Sequence, residues 1–266
     1  MTPQDHARAA ADLLEAEKTG QQIGLLSLRH PQMGMDDAYA IQNAIHLAKT
    51  NAGRKVIGYK IGLTSKAMQY ALNIDIPDSG ILFDDMLFEN GAIIPNGRFI
   101  QPRIEAEIAF VFKDTIGGAH VTREDVLAAT DYVTPALEIL DTRIVRADPQ
   151  TGQTRKVYDT ISDNAANAGV VLGVERHAPD VVDLRWVGAI TARNGEVEET
   201  GLGAGVLNDP VASVVWLAQR MAHYGQRIEP GHIILSGSFT RPVECPPNSH
   251  IHADFGPFGT VEITFE

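Results

Sequence analysis

The spacing of apolar positions changes character near Val56. Before it the period is helical: Ala10, Leu13 and Leu14 recur at intervals of three and four in a segment rich in Ala, Glu and Leu. A second stripe, Ala38, Ile41, Ile45 and Ala48, predicts a helix capped by Asp36 or Asp37 and stopped at Gly53. These helices are expected on the outside of the main fold or against a neighbouring subunit. From Val56 onward, short apolar runs predict strands at Val56–Ile61, Ile81–Phe88, Ile104–Phe112, Tyr132–Leu140, Val170–Leu172, Trp186–Arg193, Ile233–Ser236, His250–Phe255 and Thr260–Phe265. Asn194-Gly195 predicts a hairpin turn, since both residues accept positive φ. Three helices interrupt the strands. One starts at Asp209 and Pro210, carries Val211, Val214, Val215, Ala218 and Met221, and ends at Gly225. A shorter one follows Thr122, with Asp125 completing a capping box, and Thr64-Ser65 can open another over Lys66–Leu72. Helices and strands do not alternate regularly, and no repeat or linker divides the chain. The fold class is therefore α+β: a helical N-terminal segment (1–54) followed by a β-rich mixed sandwich or roll (55–266), together one compact domain.

One strand breaks the pattern. In Arg103–Phe112, residues Ile104, Ala106, Ile108, Phe110 and Phe112 share one face. The other face carries Glu105 and Glu107 and continues as Ala109 and Val111, so it turns inward. Two carboxylates about 7 Å apart facing a partly dry interior repel each other and are poorly solvated. A hard divalent cation such as Mg²⁺ or Mn²⁺ relieves both problems; surface glutamates on a half-exposed strand are the plainer alternative. Glu138 shares a strand face with Ala136 and Leu140, and a third acid among apolar neighbours favours the metal.

Composition narrows the class. The chain has 266 residues, 44% hydrophobic and 21% charged, which suits a globular protein with a large core. A net charge of −12 without any basic run argues against a nucleic-acid partner. No apolar stretch is long enough to span a membrane, and no signal peptide is evident at the N-terminus. Cys245 is the only cysteine, so a reducing cytoplasm fits.

Lys60 lies between Gly58 and Gly62 at a strand end, where it could hold an anion, move protons or simply snorkel to solvent. Asp78, after Ile76-Pro77, reads by itself as a turn residue. Taken together, Gly58–Gln69, Pro102–Phe110, Ala136–Arg143, Asp159–Gly169 and Ser236–Pro242 resemble the 2-oxo-acid hydratase and decarboxylase branch of the fumarylacetoacetate hydrolase superfamily. The longest matches are Gly-Tyr-Lys-Ile-Gly-Leu-Thr-Ser-Lys-Ala-Met-Gln and Asp-Thr-Ile-Ser-Asp-Asn-Ala-Ala-Asn-Ala-Gly. The resemblance implies that Glu105, Glu107 and Glu138 ligate Mg²⁺ or Mn²⁺ and that Lys60 and Asp78 transfer protons. It implies hydration of a 2-oxo-4-enoate in aromatic catabolism, with a small 2-oxo diacid as substrate. It also implies a homo-oligomer, up to a decamer built from five-fold rings, and association with another enzyme of the same route. Arg155, Lys156 and Arg241 are candidates for the far carboxylate of the diacid, and Ser162 and Ser238 for hydrogen bonds to the substrate. Tyr59 departs from the His of near relatives.

Decarboxylation of 4-oxalocrotonate at the same site is the nearest rival, and a non-catalytic partner subunit a lesser one. The superfamily's carbon–carbon hydrolases carry a Tyr-x-x-His element, where this chain has Tyr59-Lys60-Ile61-Gly62. His250, His252 and Asp254 share a strand face and form an alternative metal trio. Gly201-Leu202-Gly203-Ala204-Gly205 lacks the spacing of a dinucleotide loop, and Ser238 is not in a Gly-x-Ser-x-Gly elbow.

Overall fold

A computed structural model describes residues 1–66, 69–70 and 76–266. The helix expected over Lys66–Leu72 falls partly outside those residues. Alternation in the sequence shapes the central strand, β5 (Arg103–Phe112) in chain-order numbering, whose neighbour β6 (Thr130–Leu140) lies antiparallel along nearly its whole length. One face of this pair buries Ile104, Ile108, Phe110, Leu137 and Ile139 against a second sheet and a long helix. Each such side chain contributes about 1.5–3 kcal/mol when fully buried. Together they offset the several kcal/mol that each buried acid on the opposite face costs.

The larger sheet has the order β2-β1-β10-β5-β6-β7-β3, with β11 pairing beside β10 on β5. Its strands are β1 (Val56–Gly62), β2 (Asp78–Phe83), β3 (Leu87–Phe88), β7 (Asn167–Leu172), β10 (Ile233–Leu235) and β11 (Val243–Glu244). The smaller sheet, β4-β13-β12-β8-β9, uses β4 (Ile93–Ile94), β8 (Gly188–Arg193), β9 (Glu196–Leu202), β12 (Ser249–Asp254) and β13 (Thr260–Phe265). Asn194 and Gly195 make the β8–β9 turn at φ of 53° and 87°, as expected. The larger sheet curls until β2 meets β7. Among the described residues β2 itself makes no ladder with β7, although β3, which follows it after one turn, pairs in parallel with β7 at Leu87–Val170 and Phe88–Val171. Asn164 ties β2 in beside that ladder, accepting from the Ile81 N–H (2.8 Å) and donating to the Ile81 carbonyl (2.9 Å), while Asn167 donates to the same carbonyl (3.2 Å). Asn164, Ala165 and Ala166 are all left-handed, at φ of 51°, 54° and 59°. This conformation costs L-residues roughly 1–2 kcal/mol each, and the paired carboxamide holds it.

The N-terminal helices α1 (Pro3–Thr19) and α3 (Met35–Asn51) pack together with the single turn α2 (Leu26–Arg29) over a core of their own. That core also takes in Ile144 and Ile161 from the β-rich region. Ile161 lies on α5 (Val157–Ser162), whose Asp159 accepts from the Ser27 N–H (2.8 Å) and hydroxyl (2.6 Å). The remaining helices are α4 (Arg123–Ala129), with the Thr122/Asp125 capping box, and α6 (Pro210–Ala222), capped by Asp209.

Several expectations need correction. Gly34, not Asp36 or Asp37, is the N-cap of α3; Asp37 sits at the third helical position and accepts the Gly34 N–H at 3.0 Å. Ala48 is exposed. The run Ile81–Phe88 is broken by a 3₁₀ turn at Asp84–Met86, because two adjacent aspartates favour a turn over a ladder. Leu184–Trp186 is likewise a 3₁₀ turn before β8 begins at Gly188. Asp78 is not a turn residue; it opens β2 and is 2% exposed.

Candidate active site

The curled sheet brings its acids together by register. Glu105 on β5 is paired directly with Glu138 on β6, and Glu107 with Ala136, so the three carboxyl groups converge on one inner face. One oxygen from each lies within 4.8 Å of the other two. Glu107 and Glu138 are 1% and 0% exposed. Lys60 reaches across from β1, its Nζ 3.3 Å from Glu138 Oε1. That is ion-pairing distance, but the atoms are not aligned for a hydrogen bond, and both Glu138 oxygens and Glu107 Oε1 lack hydrogen-bond partners despite burial.

Glycines make room for this convergence. Lys60 pairs with Gly80 across the β1–β2 ladder, and Gly62 pairs with Asp78. A Cβ on Gly62 would lie 2.2 Å from Asp78 Oδ1 and 3.0 Å from Lys60 Nζ. Gly237, at φ of 115°, donates its N–H to Glu107 Oε2 at 2.7 Å, and a Cβ there would meet the Thr64 hydroxyl at 2.4 Å. The Gly237 and Gly80 positions were missed in the sequence. Their signal is the glycine flanking or facing each functional residue.

Electrostatics follow from burial. Desolvation pushes the Glu105 carboxyl up to about 7, with Glu138 adding to the rise. Glu107 is raised well above the usual range by burial and by both neighbouring acids. Burial also raises Glu138, against the pull of Lys60. For Lys60, burial favours the neutral amine, but the surrounding Glu138, Asp78, Glu105 and Glu107 outweigh it and hold the group protonated. Asp78 is raised by burial, opposed by Lys60, the Gly62 N–H, Arg220 and Arg155. Four acids around one ammonium leave an excess of negative charge. Unpartnered oxygens on Glu107 and Glu138, with Glu105 converging beside them, fit a hard divalent cation, and among the described residues this is the one group with the geometry to hold a metal.

A cleft of about 310 Å³ opens onto Glu105, at the small end of the range for small-ligand sites. Thr64, Ser238, Phe239, Glu199 and Arg241 also line it. The Ser238 hydroxyl donates to the Thr240 carbonyl (2.8 Å) and accepts the Thr240 N–H (3.1 Å), shaping the loop. Arg155 and Ser162 are not in the lining. Arg155 donates to the Thr142 hydroxyl at 2.5 Å. Ser162 is buried on α5, which packs on β2, and its hydroxyl has no partner. Lys156 is exposed. Tyr59 alternates with Lys60 and so faces away from the acids, its ring edge-on to His232 at 5.7 Å. The alternative trio does not assemble a site: His250 is exposed and pairs with Glu262 at 3.4 Å. The glycines of 201–205 serve close packing, since a Cβ on Gly201 would lie 1.9 Å from the Phe239 carbonyl oxygen and one on Gly203 would lie 2.1 Å from that of Leu184. A more open hollow of about 530 Å³ beside Ile116 and His120 contains none of the converging acids.

The same fold is found in 4-oxalocrotonate decarboxylase from Pseudomonas putida G7, solved with magnesium and adipate: TM-score 0.93, 32% identity, covering 100% of this chain and 99% of that one. Its fold is that of fumarylacetoacetate hydrolase family proteins, and the chain belongs to the family of 2-oxo-acid hydratases and decarboxylases. Within it, the chain is 50% identical to 2-oxo-hept-4-ene-1,7-dioate hydratase of Escherichia coli, over 98% of this chain and 97% of the relative. It is 41% identical to 2-keto-4-pentenoate hydratase of Paraburkholderia xenovorans (strain LB400), over 100% and 97%. No protein-family model matches it. The chain is an enzyme of the hydro-lyase type.

Proposed function

We propose that the protein adds water to 2-oxo-hept-4-ene-1,7-dioate, giving 4-hydroxy-2-oxoheptanedioate, in the breakdown of an aromatic acid such as 4-hydroxyphenylacetate, with Mg²⁺ or Mn²⁺ held by Glu105, Glu107 and Glu138. The observation that carries this reading is the convergence of the three carboxyl groups beside Lys60, with buried, unpartnered oxygens on Glu107 and Glu138. When bound, the cation would act as a Lewis acid toward the substrate's 1-carboxylate and 2-oxo oxygens. Gly237 orients Glu107 through its N–H and leaves the other oxygen free as a ligand atom. Lys60, kept protonated by its acidic neighbours, is suited to donate a proton or hydrogen bond to the reacting chain. Asp78, raised by burial and adjoining Gly62, is suited to hold the proton that migrates or to orient the water that adds at carbon 4. Arg241 meets the far carboxylate at the cleft mouth, and Ser238 shapes the wall it slides along. Ser162 and Arg155 stand behind, on the Asp78 side. A homo-oligomer belongs to this reading, and the single, buried, unpaired Cys245 suits a reducing cytoplasm.

Relatives at 50% and 41% identity are both hydratases, which favours water addition over loss of CO₂. The experiment offers the protein a 2-oxo-4-enedioate and 4-oxalocrotonate in H₂¹⁸O with Mg²⁺. Label at carbon 4 supports the hydratase. CO₂ release without label replaces it with the decarboxylase, and turnover of neither leaves a partner subunit.

A further inference from the structure

We propose that Glu199 is a specificity-determining residue: it holds Arg241 at the cleft mouth in place of the far carboxylate of a dicarboxylic substrate, which displaces it on binding. This rests on the hydratase reading and adds which acids the cleft selects. Among the described residues, Arg241 is the one Lys or Arg lining the cleft that opens onto Glu105. Its Nη2 lies 2.7 Å from Glu199 Oε1, with the arginine side chain 83% exposed and the glutamate 17%. An ion pair so open to water is weak and exchanges readily.

The placement of Glu199 is built in. The β8–β9 register shifts between Thr191 and Ala192, where Glu198 is the extra residue of a bulge and pairs with Arg193; Glu199, opposite Thr191, lines the cleft. Two residues on, Gly201 lets β9 approach the Phe239 backbone more closely than any side chain would allow. That contact brings Glu199 against the loop carrying Arg241. A monocarboxylic 2-oxo acid offers Arg241 nothing and leaves the pair intact. A dicarboxylic one gives the guanidinium a second carboxylate, and Glu199 then opposes it as a like charge.

The test uses the unreactive saturated analogues 2-oxoheptanedioate and 2-oxopentanoate, titrated calorimetrically into the Mg²⁺-loaded protein. Arg241→Gln is expected to weaken the diacid ~10-fold or more while moving the monoacid less than about twofold. Glu199→Gln is expected to tighten the diacid about 3-fold or more relative to the monoacid, and the double variant to match Arg241→Gln. Equal effects of Arg241→Gln on both analogues, or a diacid-to-monoacid ratio unchanged by Glu199→Gln, would overturn the assignment. Wild-type protein that binds neither analogue overturns the hydratase reading along with it; binding of both without these differences overturns this inference alone.

Discussion

At the scale of single residues, the site is a set of charges that the fold tolerates only as a group. Glu107→Gln removes one ligand oxygen yet keeps an acceptor for the Gly237 N–H. Metal affinity is expected to fall by more than the ~10–100-fold that outer-shell losses cost, while the metal-free protein melts no lower, since a neutral amide replaces a carboxyl whose charged form burial and two neighbouring acids disfavour. Metal titration and calorimetric melting of the same sample check both parts. Lys60→Met is expected to lower kcat by ~10²–10⁴ with a small change in KM; steady-state kinetics that moved KM alone would make Lys60 a binding residue. Gly62→Ala places a methyl group against Asp78 and Lys60. It is expected to cost about 1–3 kcal/mol in denaturant unfolding and most of the activity.

At the scale of elements, much was legible because period and register are local. Alternation in Arg103–Phe112 alone put Glu105 and Glu107 on one face, and the ladder put Glu138 opposite. The caps at Thr122 and Asp209 were equally plain. What stayed hidden depends on contacts distant in sequence. Asp78 reads as a turn residue until its pairing with Gly62 is known. Asn164 becomes meaningful only beside Ile81, and Glu199 only beside Arg241. Lys60 and Asp78 were assigned by resemblance, because a lysine between glycines has no periodic signature. The cap of α3 gives a further prediction. Asp37, held to about 2 by the Gly34 N–H, His6 and the N-terminus, is depressed in the folded state, so its stabilisation is present above the ordinary aspartate pKa and is lost as pH falls toward 2. Asp37→Asn is expected to cost ~1 kcal/mol at neutral pH and to flatten that acid limb, as melting curves across pH would record.

At the scale of the molecule, the buried acids make stability depend on the ion. Chelation is expected to lower the melting temperature, and added Mg²⁺ to restore it with the logarithmic dependence of mass action. In metal-free protein the Glu105 carboxyl is raised from its usual value to about 7. Stability from its protonated form is therefore present below the ordinary glutamate pKa and drains away as pH rises through 7. The gap in melting temperature between metal-loaded and chelated protein should widen across that window.

The curled sheet meets β2 along a line spanned by two carboxamides and the backbone of Ile81, beside a β3–β7 ladder of only two residue pairs. A junction so short has little cooperativity, because few rungs tighten when one is made. Under rising urea the cylinder should part there first, with the Ile81 amide exchanging through a low-energy opening while Ile108 waits for global unfolding. Asp78 lies three residues from the parting line, so catalysis would fade in urea before helix and sheet signals do.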